Sequence, residues 1–413
     1  MVETEDDELI EKYRAETGKQ AIWHGTLTKT FLNWKRNQQK SNYNIPPTQS
    51  IGGSKKVYTE DVIKDRMGQY GAVYFPSDIQ ETIDDILGNE MKKEVLHDFF
   101  KALKKYDVFT KQLKSAKLSP SLTVLLYGPP GTGKTSLTRG FAKEYNIPIC
   151  VVETDRLVSP LLGDTIKKIR NVVELAEEIA NERGSFILFF DELDAIGSER
   201  SNIHEVGEIK RAVISFLQVI DRVNYKGVPL AIFGATNHQH QLDSAIWRRF
   251  TFHFSFEFPD YHLRKKIIEV FLKKLENAKI GVDSIIFTNL ENEYEAVKRN
   301  HKSLENKIGK QISEFEDDIL WNEINKKIQE KGLLNLTYGY SGSDIERGTK
   351  VAILKAMNTE RLTYELFYNS LMLVGGTAIH VERQDLLSQS RNSYSSKGQT
   401  TNSVRKKTIP PEI

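Results

Sequence analysis

The chain has 413 residues, 39% of them hydrophobic and 28% charged, which suits about two or three domains and excludes global disorder. Lysine and arginine total 58 against 56 aspartates and glutamates, so the net charge of +2 makes a nucleic-acid partner unlikely on bulk electrostatics. One cysteine, Cys150, excludes a disulfide framework and a cysteine-only metal site, and the longest strictly apolar run is only Phe186–Phe190, against roughly 20 residues needed to span a bilayer. The acidic N-terminus (Glu3, Glu5, Asp6, Asp7, Glu8) lacks a secretory pattern, so the expectation is a cytoplasmic mixed α/β protein with no membrane span.

Residues 1–75 read as a separate polar region. A helix is expected near Leu27, Phe31 and Trp34, followed by a linker over Asn42–Ser54, rich in Pro, Gly, Ser and Asn. This region reads either as a flexible arm or as a small docking segment using Trp23 and Trp34. Ser77 and Gln80 have capping-box spacing and predict a short helix. Strands are expected at Leu122–Tyr127, Ile149–Val152, Phe186–Phe190, Leu230–Phe233 and Phe250–Phe258. The first four are short apolar runs separated by helical segments, which predicts a doubly wound parallel sheet covered on both faces. Ile166, Ile169, Val173, Ala176 and Ile179 keep a helical period, as do Ile209, Val213, Phe216 and Ile220. Phe250, Phe252, Phe254, Phe256 and Phe258 alternate along the last strand, a pattern that fits a core-facing strand better than a base-stacking platform.

After Pro259 the pattern turns all-helical. Leu263, Ile267, Val270, Phe271 and Leu275 mark one helix. Val297, His301, Leu304, Ile308, Ile312, Phe315 and Ile319 predict a long amphipathic helix or helical hairpin. Ser343 and Glu346 predict the start of a further helix, and the polar segment 381–413, basic near its end, reads as a disordered tail.

The chemistry concentrates in three places. Gly128, Pro129, Pro130, Gly131, Thr132, Gly133, Lys134 and Thr135, with Ser136 behind them, form a glycine-rich phosphate loop between a strand and a helix. Glycines let backbone amides wrap phosphates, and the helix N-terminus adds a favourable dipole. Lys134 would neutralise the β and γ phosphates of ATP, and Thr135 would place its hydroxyl on Mg²⁺. The strand Phe186–Phe190 runs into Asp191 and Glu192, a placement that is costly unless the carboxylates work. Asp191 would hold the metal shell, and Glu192 would polarise the attacking water. Asn237 follows the strand at Leu230–Phe233, where residues beyond strand ends line the ligand crevice, and would bond the γ phosphate or the water.

Together with Leu242-Asp-Ser-Ala-Ile-Trp-Arg-Arg-Phe250, these motifs resemble the AAA branch of the AAA+ ATPases, which includes katanin-like and FtsH-like modules. The resemblance spans about residues 76–375 and implies an α/β nucleotide domain at 76–258, a small helical lid at 259–380, and a homo-oligomeric ring, usually a hexamer. It implies that Asp85, Ile86, Leu87 and Gly88 pack around adenine, and that Gly342 and Ser343 close over the nucleoside. It also implies that Arg248 and Arg249 reach the ATP of a neighbouring subunit.

Two departures qualify the resemblance. Where many relatives carry an aromatic substrate-gripping trio, this chain has Leu161-Leu162-Gly163, and the lid is enlarged over about 281–330. No His-Glu-x-x-His is present, which excludes a built-in zinc protease of the FtsH kind. The expected activity is Mg-dependent ATP hydrolysis that remodels or unfolds a protein partner. The alternative is a nucleotide-dependent switch gating a separate effector, such as a protease or nuclease in bacterial defence; a nucleic-acid motor ranks lowest.

Overall fold

The computed structural model describes residues 22–23, 26–27, 58–158, 163–197, 206–314, 332–357 and 361–377. The chain divides into two units, 1–57 and 58–413. In the first, β1 (Ile22–Trp23) pairs antiparallel with β2 (Thr26–Leu27). Leu27 therefore lies in a strand, not in the helix expected there, because its backbone pairs with Ile22 across the antiparallel ladder. Phe31, Trp34 and the expected linker lie outside the described residues, as does the tail from 381.

The second unit begins earlier than the boundary expected at 76. It opens with α1 (Glu60–Gly68), capped by Thr59, and β3 (Gly71–Tyr74). The expected helix at Ser77 is instead a turn; a 3-10 turn lies further on at Ile83–Asp85, where Thr82 and Asp85 make the capping box. α2 (Glu90–Lys104) and α3 (Tyr106–Ser115) follow, and then β4 (Thr123–Tyr127), α4 (Lys134–Glu144), β5 (Ile149–Glu153), α5 (Asp164–Arg183) and β6 (Phe186–Asp191). The domain closes with α6 (Val206–Lys226), β7 (Leu230–Thr236) and β8 (Phe252–Ser255).

The sheet order is β3-β5-β6-β7-β4-β8, with β3 antiparallel to β5 and the other pairings parallel. Strand order reverses at β4, and the crevice beside its C-terminal end is where such sheets bind ligands. Both faces are covered, as continuous apolar strands require. On one face Ile169 and Val173 of α5 and Phe216 of α6 pack on Leu188, Phe190 and Ile232. On the other, Phe99 and Phe100 of α2 and Phe141 of α4 pack on Ile187, Phe189 and Phe233. Phe189 and Phe233 have no exposed surface, and burying each such ring contributes about 1.5–3 kcal/mol. The last strand is shorter than Phe250–Phe258; its Phe252 and Phe254 are half-buried against the core, Phe252 meeting Phe99 edge-on at 5.7 Å, and Phe256 just beyond it is buried in the same cluster.

Beyond Pro259 come α7 (Tyr261–Asn277), α8 (Ser284–Ile308), α9 (Gly342–Ala356) and α10 (Tyr364–Val374), which build a separate core around Ile268, Leu272, Leu290, Ile345 and Leu371. The buried stripe of α7 is Tyr261, Arg264, Ile268, Leu272 and Leu275, offset from the apolar stripe read in the sequence because a buried arginine supplies one of its positions. α8 stops at Gly309 in the left-handed conformation, a glycine C-cap that outweighs the apolar period continuing to Ile312; Phe315 and Ile319 lie outside the described residues. The cap of α9 is Ser341 with Asp344, two residues before the Ser343 expected, because the Ser-x-x-Asp spacing there forms the reciprocal box.

Candidate active site

The phosphate loop leaves β4 and enters α4. Gly128 has φ 132° and Gly131 φ 74°, a region closed to most side chains; a methyl group on Gly128 would also overlap the Phe256 carbonyl. Lys134 is buried and its Nζ donates to the carbonyls of Gly128 and Pro129, each at 2.7 Å. Burial pushes its pKa down to about 8, against the opposing pull of Asp191 and Asp194. Thr132 ties the loop by donating to the Pro129 carbonyl at 2.8 Å. Pro130, Gly133 and Ser136 stay half-exposed around it.

At the end of β6, Asp191 Oδ2 accepts the Thr135 hydroxyl at 3.3 Å, so the two residues expected to hold a metal are neighbours. A hydroxyl and a carboxylate oxygen are the hard donors that Mg²⁺ takes, and the pair fits that ion. Glu192, next along, is exposed and has φ 50°, an uncommon conformation for a non-glycine residue. Its turn is braced from below: Thr154 donates to the carbonyls of Asp191 (3.1 Å) and Glu192 (3.3 Å). Asn237 lies half-buried one residue beyond β7, the strand between β6 and β4.

The lid reaches the same place. Ser343 donates its backbone N–H to the Gly131 carbonyl at 3.2 Å, so α9 starts on the phosphate loop, with Gly342 half-buried beside it. Asp344, fully buried, holds that start by accepting from Ser341 N–H (2.8 Å) and from the Thr377 hydroxyl (2.7 Å). The segment Asp85–Gly88 lies between this loop and α7: Asp85 pairs with Lys274 at 2.6 Å, a side chain on Gly88 would meet Leu263, and one on Gly133 would meet Ile86. Leu87 is half-buried. Arg248 and Arg249 follow a single helical turn at Ser244–Trp247; Arg248 is exposed, and Arg249 pairs with Asp221 of α6 at 2.8 Å. Leu161 and Leu162 lie outside the described residues.

The sequence reading missed Thr154, Asp194, Thr236, Lys274 and Asp344. Thr154 and Lys274 have no distinctive neighbour; Asp194, Thr236 and Asp344 stand beside named motif residues, but partners such as Thr236 for Asp194 and Thr377 for Asp344 are distant in sequence.

A phosphate loop after β4, adjacent carboxylates after β6 and a polar residue after the strand between them define a P-loop nucleotide-binding fold. Residues 124–258 match the family model described as "ATPase family associated with various cellular activities (AAA)". The chain is 35% identical over 200 residues to an uncharacterized AAA family ATPase, y4kL, of Sinorhizobium fredii, covering 48% of this chain and 56% of that protein. It is 33% identical over 202 residues to a putative 26S proteasome regulatory subunit homolog of Methanothermobacter thermautotrophicus, covering 49% and 50%. The chain thus spans about half the length of these curated relatives. Its fold matches the crystal structure of the FIGL-1 AAA domain in complex with ADP, with a TM-score of 0.54, 22% identity, and coverage of 82% of this chain and 99% of that one.

Proposed function

We propose that the chain is a Mg-dependent ATPase that hydrolyses ATP to ADP and phosphate. The observation that carries this reading is the turn after β6, where Asp191 meets Thr135 at 3.3 Å while the next carboxylate, Glu192, is exposed at φ 50°. Lys134 and the loop amides bind the β and γ phosphates, with Lys134 exchanging its two carbonyl partners for phosphate oxygens. Thr135 and Asp191 would hold the Mg²⁺, which would supply charge neutralisation on the phosphates. Glu192 orients the attacking water and takes its proton, and Asn237 bonds the γ phosphate or that water. Asp85–Gly88 with Gly342 and Ser343 enclose the nucleoside.

The deciding comparison is Glu192→Gln against Lys134→Ala. Glu192→Gln should bind ATP within about threefold of the wild type but lose at least ~100-fold in kcat, the scale of a general base. Lys134→Ala should lose binding itself, because it touches the ground-state phosphates. Wild-type turnover in Glu192→Gln would show that the base has been misassigned.

The assembly proposed is a homo-oligomeric ring, most simply a hexamer, in which Arg248 and Arg249 act on a neighbour's ATP and the cycle remodels a protein partner. The exposed Arg248, which follows the turn after β7 that carries Asn237, supports this arrangement. Capturing proteins on the Glu192→Gln variant with ATP, against Lys134→Ala as the control, tests whether there is a partner.

A further inference from the structure

Thr236 is the last residue of β7 and 1% exposed. Three contacts meet on it. Its carbonyl accepts the Gly128 N–H at 3.2 Å, at the start of the phosphate loop. Its hydroxyl lies 2.7 Å from Asp194 Oδ1, and the His238 N–H reaches the same oxygen at 3.0 Å. A backbone N–H can only donate, so the hydroxyl proton must point to Asp194, whose carboxylate can only accept when ionised. One hydroxyl therefore fixes a direction: His238 to Thr236 to Asp194.

Asn237 is the residue between the first two members of that relay, Thr236 and His238. Asp194 lies on the turn that carries Asp191 and Glu192, and the same turn is tied again where Leu193 N–H donates to the Ala235 carbonyl at 2.8 Å. We infer that Thr236 is a positioning residue whose hydroxyl sets Asn237 against Glu192 and the phosphate loop. The inference rests on the ATPase reading and adds to it the part that makes the two carboxylate- and amide-bearing turns move as one. A donor held in place before the reaction is worth much more than one that must be recruited, and losing such a donor typically costs about 10²–10³ in kcat.

Thr236→Val keeps the shape and removes the hydroxyl; Thr236→Ser keeps the hydroxyl. In the full chain Thr236→Val should lower kcat by about 10- to 100-fold while ATP affinity stays within about threefold, and Thr236→Ser should stay within about threefold of the wild type on both. In a double-mutant cycle, Thr236→Val should add little on top of Asn237→Ala, because both act through the same amide. Should Thr236→Val fold poorly, Asp194→Ala removes the acceptor and should lower kcat in the same direction, while Asp194→Asn, which retains an acceptor, should not. A kcat for Thr236→Val within about twofold of the wild type, or full additivity with Asn237→Ala, overturns the inference. A lowered melting temperature with kcat and KM unchanged also overturns it, since a merely structural role would do that.

Amide exchange at His238 separates this inference from the reading beneath it. Should the wild type not hydrolyse ATP, the ATPase reading falls and exchange decides alone. Exchange at least ~10-fold faster in Thr236→Val but unchanged in Thr236→Ser supports the relay; equal exchange in all three overturns it.

Discussion

Lys134 is 7% exposed and donates to two carbonyls of its own loop, and burial lowers its pKa to about 8. Because the folded value lies below the ordinary 10.5, the unfolded chain binds more protons between about pH 8 and 10.5, and stability rises with pH across that window. Phosphates beside the ammonium favour its charged form and raise the pKa again. ATP binding should therefore take up about half a proton at pH 8 and almost none at pH 6.5, read by calorimetry in buffers of different ionisation enthalpy. Uptake equal at both pH values would show that Lys134 does not meet the phosphates. The groups legible in the sequence at this scale, Lys134, Thr135, Asp191 and Glu192, are those whose spacing is enforced by one short loop or one strand end. Thr236 and Asp194 were illegible because 42 residues separate them and only sheet register brings them together.

Among the elements, α7 links the lid to the nucleotide segment. Burial alone would raise the Asp85 carboxyl, but hydrogen bonds from Lys274 and Thr82 outweigh it and hold the pKa at about 2. A value below the ordinary 3.8 means this contribution is present above about pH 4 and disappears as pH falls through about 2. The pair is partly exposed, and such pairs contribute about 0.2–1 kcal/mol. Lys274→Ala should therefore release a fluorescent ADP about two- to fivefold faster in stopped flow. An unchanged rate would assign the grip to Leu263 against Gly88 instead.

The same helix begins with Arg264, fully buried, which pairs with the nearly buried Glu314 at 2.6 Å and donates to the Pro259 carbonyl at 2.9 Å. Glu314→Ala leaves that guanidinium without its counter-charge and should cost about 3–5 kcal/mol, seen in denaturant midpoint with an unchanged slope. Destabilisation below 1 kcal/mol would show that water or backbone replaces the carboxylate. Neither Arg264 nor β3 was legible, for related reasons. A charged residue drops out of an apolar count, and a four-residue edge strand is too short to show a period.

For the whole molecule, the question is what Arg249 does when no neighbour is present. Within one chain it is held by Asp221 at 2.8 Å, an exposed pair weak enough to exchange for a phosphate. Mixing Arg249→Ala with Lys134→Ala subunits should restore activity that neither has alone, and specific activity should rise with protein concentration. Arginines acting across subunits in other NTPases contribute about 10³- to 10⁵-fold, so a partial rescue is measurable. Activity unchanged by dilution to monomer would remove the trans role. At this scale the parallel sheet followed by a helical lid was legible from alternating apolar strands and helical periods. The start of the unit at Tyr58 was not, because Tyr58 is held by Glu182 and Arg183, more than 120 residues away.

The Arg264–Glu314 contact also closes a circle. The chain departs from the hinge along α7, travels out and back through α8, and returns to the point it left. His301 marks how far the fixed part extends, bonding Tyr261 and the Ile312 carbonyl, while residues 306–311 beyond it are exposed. From His301 to the end of α8 at Ile308 is about 11 Å, so a 10° turn about that contact moves the helix end by about 2 Å. A dye attached at Gly309 would sit on the exposed turn between the two contacts that close this circle, and would report lid rotation from beside the hinge without entering either core.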